Sequence, residues 1–467
     1  MLPLLAVIGA FLANSLYFGF SPCRSSQPVA SHKISRDLTH DAWKATIMEE
    51  RRRARRHARA QERRTKRAEN GENQRNEKLL LGHSEHIKIF DDDDATDALN
   101  NNQTAYPEWS WDHVRPWVIL RRDTAYDDDQ IRQIAGHDIF VLEKMTGWKS
   151  YGSNEAGSLE AARRVKKLNP RIKTLFYLNA MIHYPGYSAN DSYIQNEWAT
   201  KNQQNEIYLF KNRYLWYNHS NLDFREWWIN RALDMVAHDE IDGIFIDAIM
   251  KTSISHLGCP DNAEAYFQTA LELRRRLPEG KLLIGNALRP KARGKVGGYG
   301  NIRHLQYLDG SYFEGWMRDA DSIEEAMELM SATLKSGRMV LLNGGPVFKS
   351  DEEKTVLANM IPINDRYSFM KDRIAFPLAI FLLVVEPFAY FSYHYGVDAN
   401  PGGRVGRAAF DCNRFEEITR RLGEPTGSYA MDEEFTFTRK FQHLSVWVNV
   451  KTGDAKLIPQ EMYHEEL

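Results

Sequence analysis

Cysteine is nearly absent from this chain: Cys23, Cys259 and Cys412 are the only three in 467 residues. No CxxC pair occurs and no Cys/His group has zinc-ligand spacing, which argues against a structural metal. Cys259 and Cys412 are free to pair in an oxidising compartment. Phosphate-cradling glycine loops are also missing. No GxGxxG follows the first strand-like run and no GxxxxGK[ST] is present, so nucleotide binding has no support. A serine hydrolase needs a GxSxG elbow, and there is none. A metal-dependent barrel hydrolase would show HxH after its first strand, and that is absent too. No cofactor is expected.

Charge is absent from residues 1–20, MLPLLAVIGAFLANSLYFGF. The run is long for a signal-peptide core and just long enough to span a bilayer. The usual preceding Lys or Arg is missing. Arg24, Lys33 and Arg36 follow it, against the rule that would place the downstream chain outside. The expectation is a signal peptide or signal anchor over residues 1–22, with a secreted or membrane-anchored protein facing away from the cytoplasm. Sequons at Asn102, Asn190 and Asn218 permit this.

The charge that is present is unevenly spread. Residues 51–67, RRRARRHARAQERRTKR, hold ten basic side chains and one acid, while the whole chain has a formal charge of −2. The remaining body is therefore mildly acidic, which argues against nucleic acid as its partner. Residues 23–104 read as a charged, largely disordered arm with no sustained apolar stripe. Its basic run, Arg51 to Arg67, is either a solvated stalk or a contact for a membrane or another anionic surface.

Hydrophobic residues make up 43% of the chain and aromatics 12%, enough for a large core. From Tyr106 onward, apolar runs alternate with amphipathic segments. The runs are Trp117–Leu120, Ile139–Leu142, Thr174–Leu178, Gly243–Asp247, Leu282–Gly285, Gly310–Phe313, Met339–Leu342 and Phe388–Phe391. Helix starts are expected at Asp223, Asp261 and Ser322, each with a Glu three residues on. Further helices are expected over Phe369–Val385 and Arg414–Leu422. Eight strands in about 280 residues predict an α/β chain, a (β/α)8 TIM barrel over 105–407, with an open doubly wound sheet as the alternative. Residues 408–467 show two alternating stretches and predict a small C-terminal β appendage.

In a barrel, residues at the carboxyl ends of the strands meet at one mouth. Two carboxylates directly end apolar strands there, Asp247 and Glu314. An ionised group in such a position is costly unless the strand opens into a cleft. Glycosidic cleavage needs one carboxylate to attack or to activate water, and one carboxylic acid to protonate the leaving oxygen. The plainer readings are that Asp247 caps the following turn and that Glu314 pairs with Arg289 or Arg318. Asn179 and Asn286 are placed to bond sugar hydroxyls or loop backbone. Tyr177, Trp216, Trp316 and Tyr393 are candidates for stacking on sugar faces, although most aromatics in such a chain are core. Asp242 and Asp309 lie at strand starts, on the opposite side, and read as structural. His183 and His219 read as isolated loop residues.

The segment Asn221-Leu222-Asp223-Phe224 through Trp227, Ala232 and Asp242–Ala248 resembles the hypothetical glycosyl hydrolase families, relatives of the α-amylase and α-galactosidase barrels. The resemblance implies a "DGxxxD" fourth strand whose last Asp, here Asp247, is the nucleophile. It implies an acid/base on a later strand, matched in kind by Tyr312-Phe313-Glu314-Gly315-Trp316. It also favours retention of anomeric configuration. Taken together, the sequence predicts a glycoside hydrolase acting on a poly- or oligosaccharide with Asp247 as nucleophile or base and Glu314 as acid/base. The alternatives are a non-catalytic carbohydrate-binding barrel at the cell surface and a barrel lyase or isomerase.

Overall fold

Eight apolar runs become eight parallel strands: β1 (Trp117–Leu120), β2 (Ile139–Leu142), β3 (Lys173–Asn179), β4 (Gly243–Asp247), β5 (Leu282–Gly285), β6 (Gly310–Phe313), β7 (Met339–Asn343) and β8 (Ala389–Ser392). The structure is a computed structural model that describes residues 102–252, 262–290, 298–314, 320–348, 350–360, 363–401 and 411–460. The expectations placed on residues 1–101, including the Arg51–Arg67 surface contact, and on Asp261, Trp316 and the Cys259–Cys412 pair lie outside those residues.

Neighbouring strands pair in chain order from β1 to β8. A parallel bridge between Pro116 and Phe391 brings β8 back to β1, and the Phe391 amide donates to Arg115 O at 2.9 Å. The sheet is therefore a closed (β/α)8 barrel. An open doubly wound sheet is excluded by that closure.

Strand side chains alternate between two faces. The inward set, Trp117, Ile119, Ile139, Val141, Leu175, Tyr177, Phe245, Leu282, Ile284, Tyr312, Leu341 and Tyr390, fills the barrel as one apolar cluster. Their neighbours in sequence face outward to the helices, in a second cluster. This alternation fixes where the strand ends point. Asp247 is two residues past Phe245, Asn286 two past Ile284, Glu314 two past Tyr312, and Glu143 two past Val141. All four share the inward face and rise into the mouth. Gly243 is needed where β4 approaches β5, because a β-carbon there would collide with the carbonyl of Leu282.

Helices cover the outside: α1 (Asp128–Ile134), α2 (Asn154–Leu168), α3 (Leu222–Val236), α4 (Ala263–Arg276) and α5 (Ala320–Lys335). Between β5 and β6 the crossover is a 3-10 segment, Gly298–Gln306. Three of the expected helix starts move. Asn221, not Asp223, caps α3, with its side chain accepting from the Phe224 amide at 2.9 Å. Asn221 offers the same short acceptor two residues earlier, which leaves Asp223 in the first turn, where its charge suits the helix dipole. Helix α4 starts at Ala263, after Asn262. Helix α5 begins at Ala320, so Ser322 lies within it.

The expected helix 369–385 is two helices, Ile363–Lys371 and α6 (Ala375–Val384). Helix α6 reads AFPLAIFLLV and is apolar on every side, which is stable only if it is covered on every side. The cover is the C-terminal sheet, an antiparallel meander of β9 (Ala430–Glu433), β10 (Thr436–Lys440), β11 (Leu444–Asn449) and β12 (Asp454–Pro459). Arg439 on β10 pins the two together. Its guanidinium donates to the carbonyls of Leu382, Leu383 and Val385 at 3.3, 3.0 and 2.7 Å and pairs with Glu386 at 2.7 Å. It thereby satisfies carbonyls that the end of α6 leaves open. The expected helix 414–422 shrinks to one turn, Glu416–Thr419.

Residues 180–221, between β3 and α3, form an excursion rather than a plain loop. It holds a short hairpin, Leu209–Phe210 with Tyr214–Leu215, and an aromatic core of Tyr193, Trp198 and Tyr217 that packs on Trp227 of α3. At the opposite end of the barrel, Asn102 and Tyr106 tie the start of the described chain to Asp309 at 3.0 Å each. The Asn102 side chain is buried and its amide nitrogen is committed to those bonds, which leaves no room for a glycan. Among the described residues no helix is long and apolar enough to cross a membrane.

Candidate active site

The site starts from the end of β4. Asp247 is half-buried at the mouth and its carboxylate is held from three sides. Tyr177 on β3 donates its hydroxyl at 2.6 Å. Asn286, just past β5, donates its side-chain amide at 3.0 Å. The amide of Ala248 also bonds to it. Ala248 itself adopts the left-handed conformation (φ 64°), which an alanine takes only at some energetic cost.

Burial alone would push the Asp247 carboxyl up. The Lys144 ammonium, the Tyr177 hydroxyl, the Lys251 ammonium and the Ala248 amide together hold it below the ordinary carboxylate value. Asp247 is ionised at neutral pH. Burial and the charge of Asp247 push the Tyr177 hydroxyl well up, so it remains a donor.

Glu314 follows β6 and is the more exposed partner, with half of its side chain open to solvent. It accepts from the Asn286 amide nitrogen at 2.9 Å and from Arg289 at 2.5 Å. One nitrogen, Asn286 Nδ2, is thus bonded to both carboxylates, with 3.0 Å on one side and 2.9 Å on the other. The two bonds therefore keep an oxygen of one carboxylate within about 6 Å of an oxygen of the other.

A buried ion pair lies beneath. Glu143 is 3% exposed and pairs with Lys144. The Lys144 ammonium stands 5.1 Å from the ring centre of Tyr177 and 5.2 Å from that of Tyr184. Burial pulls Lys144 down, but Glu143 and Asp247 more than offset this and keep it charged. Among the described residues, no group of three or more His, Cys, Asp or Glu is arranged to hold a metal ion.

Two inward carboxylates at one barrel mouth are the kind of pair that glycosidic cleavage requires. The family comparison agrees. Residues 166–445 match the model of hypothetical glycosyl hydrolase family 15. The chain belongs to that family. It is therefore a glycosidase, a hydrolase of glycosidic bonds. No curated protein matches the chain. Solved structures similar to it include a maltogenic α-amylase of Thermotoga neapolitana (11% identity, 74% of this chain and 94% of that one, TM-score 0.41). An α-amylase of Geobacillus thermoleovorans, complexed with acarbose, is 13% identical over 74% of this chain and 88% of that one, at TM-score 0.42. An α-galactosidase of Geobacillus stearothermophilus is 12% identical over 75% and 50%, at TM-score 0.36. Likeness at that level decides neither fold nor function.

Within this member of the family, four of the expected residues besides Glu314 meet at the mouth: Asp247, Tyr177, Asn179 and Asn286. Tyr177 differs from its expected part, and Asn179 takes the plainer of its two. Tyr177 is 1% exposed, so its ring is no stacking platform, and it serves through its hydroxyl. Asn179 is also buried. It donates to the Tyr177 hydroxyl at 2.9 Å and accepts from the amides of Met181 and Ile182 at 3.0 and 2.7 Å, which leaves it little to offer a sugar.

Two expected residues are elsewhere. Trp216 is buried in the excursion, packed between Tyr208 and Phe210 with centroids at 5.7 and 5.4 Å. Tyr393 is fully buried, stacked on Phe391 and donating to Met370 O at 2.7 Å. Strand parity explains it: Tyr390 faces inward, so Tyr393 three residues on faces outward. His219 is core as well, with its ring bonded to Ala180 O at 2.6 Å and to Thr269 Oγ1 at 3.2 Å. Asp242 and Asp309 act as expected: Asp242 accepts the Thr174 amide at 2.8 Å and Asp309 accepts Arg274 at 2.8 Å.

Lys144 and Lys251 were not foreseen in the site. Neither had a usable signal in the sequence, since each depends on how a turn leaves the strand.

Proposed function

We propose that this glycosidase works by double displacement, with Asp247 as nucleophile and Glu314 as acid/base. The observation that carries this is the shared Asn286 amide, bonded to both carboxylates, which keeps an oxygen of each within about 6 Å of the other. A pair so linked suits the ~5–5.5 Å spacing of retaining enzymes better than the ~6.5–9.5 Å at which an inverting pair admits its water.

The residues divide the work by environment. Asp247 is kept ionised by Lys144 and Tyr177, which suits attack on the anomeric carbon. Glu314 reaches further into solvent, where a leaving oxygen would sit and where water would later enter. It gives its proton to the leaving oxygen as the C–O bond breaks and the Asp247–carbon bond forms. It then takes a proton from the water that hydrolyses the glycosyl ester, restoring both groups. The substrate is an oligo- or polysaccharide that can enter an open barrel mouth.

The test is to incubate the full-length protein with a panel of aryl glycosides and polysaccharides and follow the first product by proton NMR. Retained anomeric configuration is expected. Inversion would remove Asp247 from the nucleophile's role.

A further inference from the structure

We propose that the sugar bound against Asp247 carries an anionic group, a carboxylate or a sulfate, and that Lys251 receives it. This deepens the glycosidase reading and rests on it.

Three cations stand around the two catalytic carboxylates. Two have partners: Lys144 is paired with Glu143, and Arg289 with Glu314. Lys251 makes no ion pair or hydrogen bond among the described residues. It ends a 3-10 turn, Ile249–Lys251, that begins directly after the strained Ala248, so it is four residues from the nucleophile. Its ammonium lies 5.5 Å from the ring centre of Phe210, a half-buried side chain of the excursion hairpin. Burial pulls its proton affinity down, while Asp247 and Glu314 pull it up and Arg289 and Lys144 pull it down again. The turn that carries it leaves the mouth end of β4 directly after Asp247, so its charge is felt by both carboxylates.

An ammonium there with no ion pair among the described residues is a handicap for a neutral substrate. The transition state of glycoside cleavage is oxocarbenium-like and carries positive charge at the anomeric carbon. A neighbouring cation opposes that charge in a site that partly excludes water. An anion on the same sugar removes the conflict. It gives Lys251 a partner and leaves the developing charge to Asp247. The half-buried ring of Phe210 leaves the ammonium incompletely hydrated, which strengthens a charged hydrogen bond to such a group.

Full-length protein and its Lys251→Met and Lys251→Arg variants are compared on matched 4-nitrophenyl glycosides. The pairs are glucuronide with glucoside and galacturonide with galactoside, in both anomers, plus the 6-sulfated hexosides. For the configuration that is cleaved, the anionic member should exceed its neutral partner in kcat/KM by about tenfold or more. The ratio should collapse toward one in Lys251→Met, chiefly through KM, and survive in Lys251→Arg. The uronide and sulfate arms then distinguish which anion is taken. A neutral member cleaved equally well, or a ratio unchanged in Lys251→Met, overturns the proposal and leaves Lys251 as a cation merely stacked on Phe210. If no glycoside is cleaved, calorimetry with free glucuronate, galacturonate, glucose and galactose decides. Binding of the acids that is lost in Lys251→Met upholds the anion site independently of the double-displacement reading. No preference for the acids overturns the anion site itself.

Discussion

Tyr177 donates its hydroxyl to Asp247 at 2.6 Å from the neighbouring barrel strand. The two strands are in register, Tyr177 opposite Phe245 and Asn179 opposite Asp247, so the bond runs diagonally upward from the barrel core to its rim. The ring is locked by packing against Phe245, with centroids 6.2 Å apart. The donor is therefore fixed before substrate arrives, which is what electrostatic preorganisation requires.

The pH profile should report this bond. As the proposed nucleophile Asp247 works ionised, and its carboxyl lies below the ordinary value, so activity is expected above that pKa and is lost as pH falls through it. Replacing Tyr177 by Phe removes one of the causes and moves the acid limb of kcat/KM to higher pH, with a loss of about tenfold in rate. Lys144→Met removes a larger cause and moves the limb further in the same direction. An acid limb that stays in place in both variants would disprove the assignment of that limb to Asp247.

Asn286 holds both carboxylates through one nitrogen. Asn286→Ala should lower kcat by about a hundredfold, because both reacting groups lose a shared positioning bond. Asn286→Asp should be worse, since it sets a third negative charge between the other two. Single-turnover rates and thermal melting together check this. Equal activity in Asn286→Asp and the parent would show that the link is incidental.

Buried histidines should make the fold acid-sensitive. His219 is fully buried and held neutral, its pKa pushed down to about 4 by burial. His183 and His394 are likewise lowered to about 4, and His304 to about 3. Unfolding lets each return to about 6.5 and bind a proton. The stabilisation is thus fully present above about pH 6.5 and is lost as pH falls toward 4. For His219 alone it amounts to at most about 3 kcal/mol. Melting temperature should fall between pH 7 and 4.5, and His219→Gln should fall less steeply over that range while being less stable at pH 7. Parallel curves for the two proteins would refute the contribution of His219.

The barrel was legible in the sequence because its strands are buried on both faces and read as bare apolar runs between turns. The same runs exposed Asp247 and Glu314, since a carboxylate at the end of such a run has few structural explanations. What was missed follows from finer physics. Tyr393 was placed at the mouth by its position after β8, but side-chain alternation turns it outward. Trp216 and Tyr177 were read as platforms because composition cannot say which aromatic rings the fold covers. Asn221 took the capping role given to Asp223, as both residues are good caps two positions apart. Lys144 and Lys251 were invisible because no periodicity governs a residue that has just left a strand.

The central claim is that Asp247 is the group that attacks the sugar. Asp247→Asn keeps the shape and the hydrogen-bonding reach of the side chain and removes its charge. Steady-state hydrolysis of an activated aryl glycoside by this variant, beside a melting curve, is the most direct measurement. A fall in kcat of about four orders of magnitude with melting unchanged or raised is the predicted result. Activity within tenfold of the parent would contradict it.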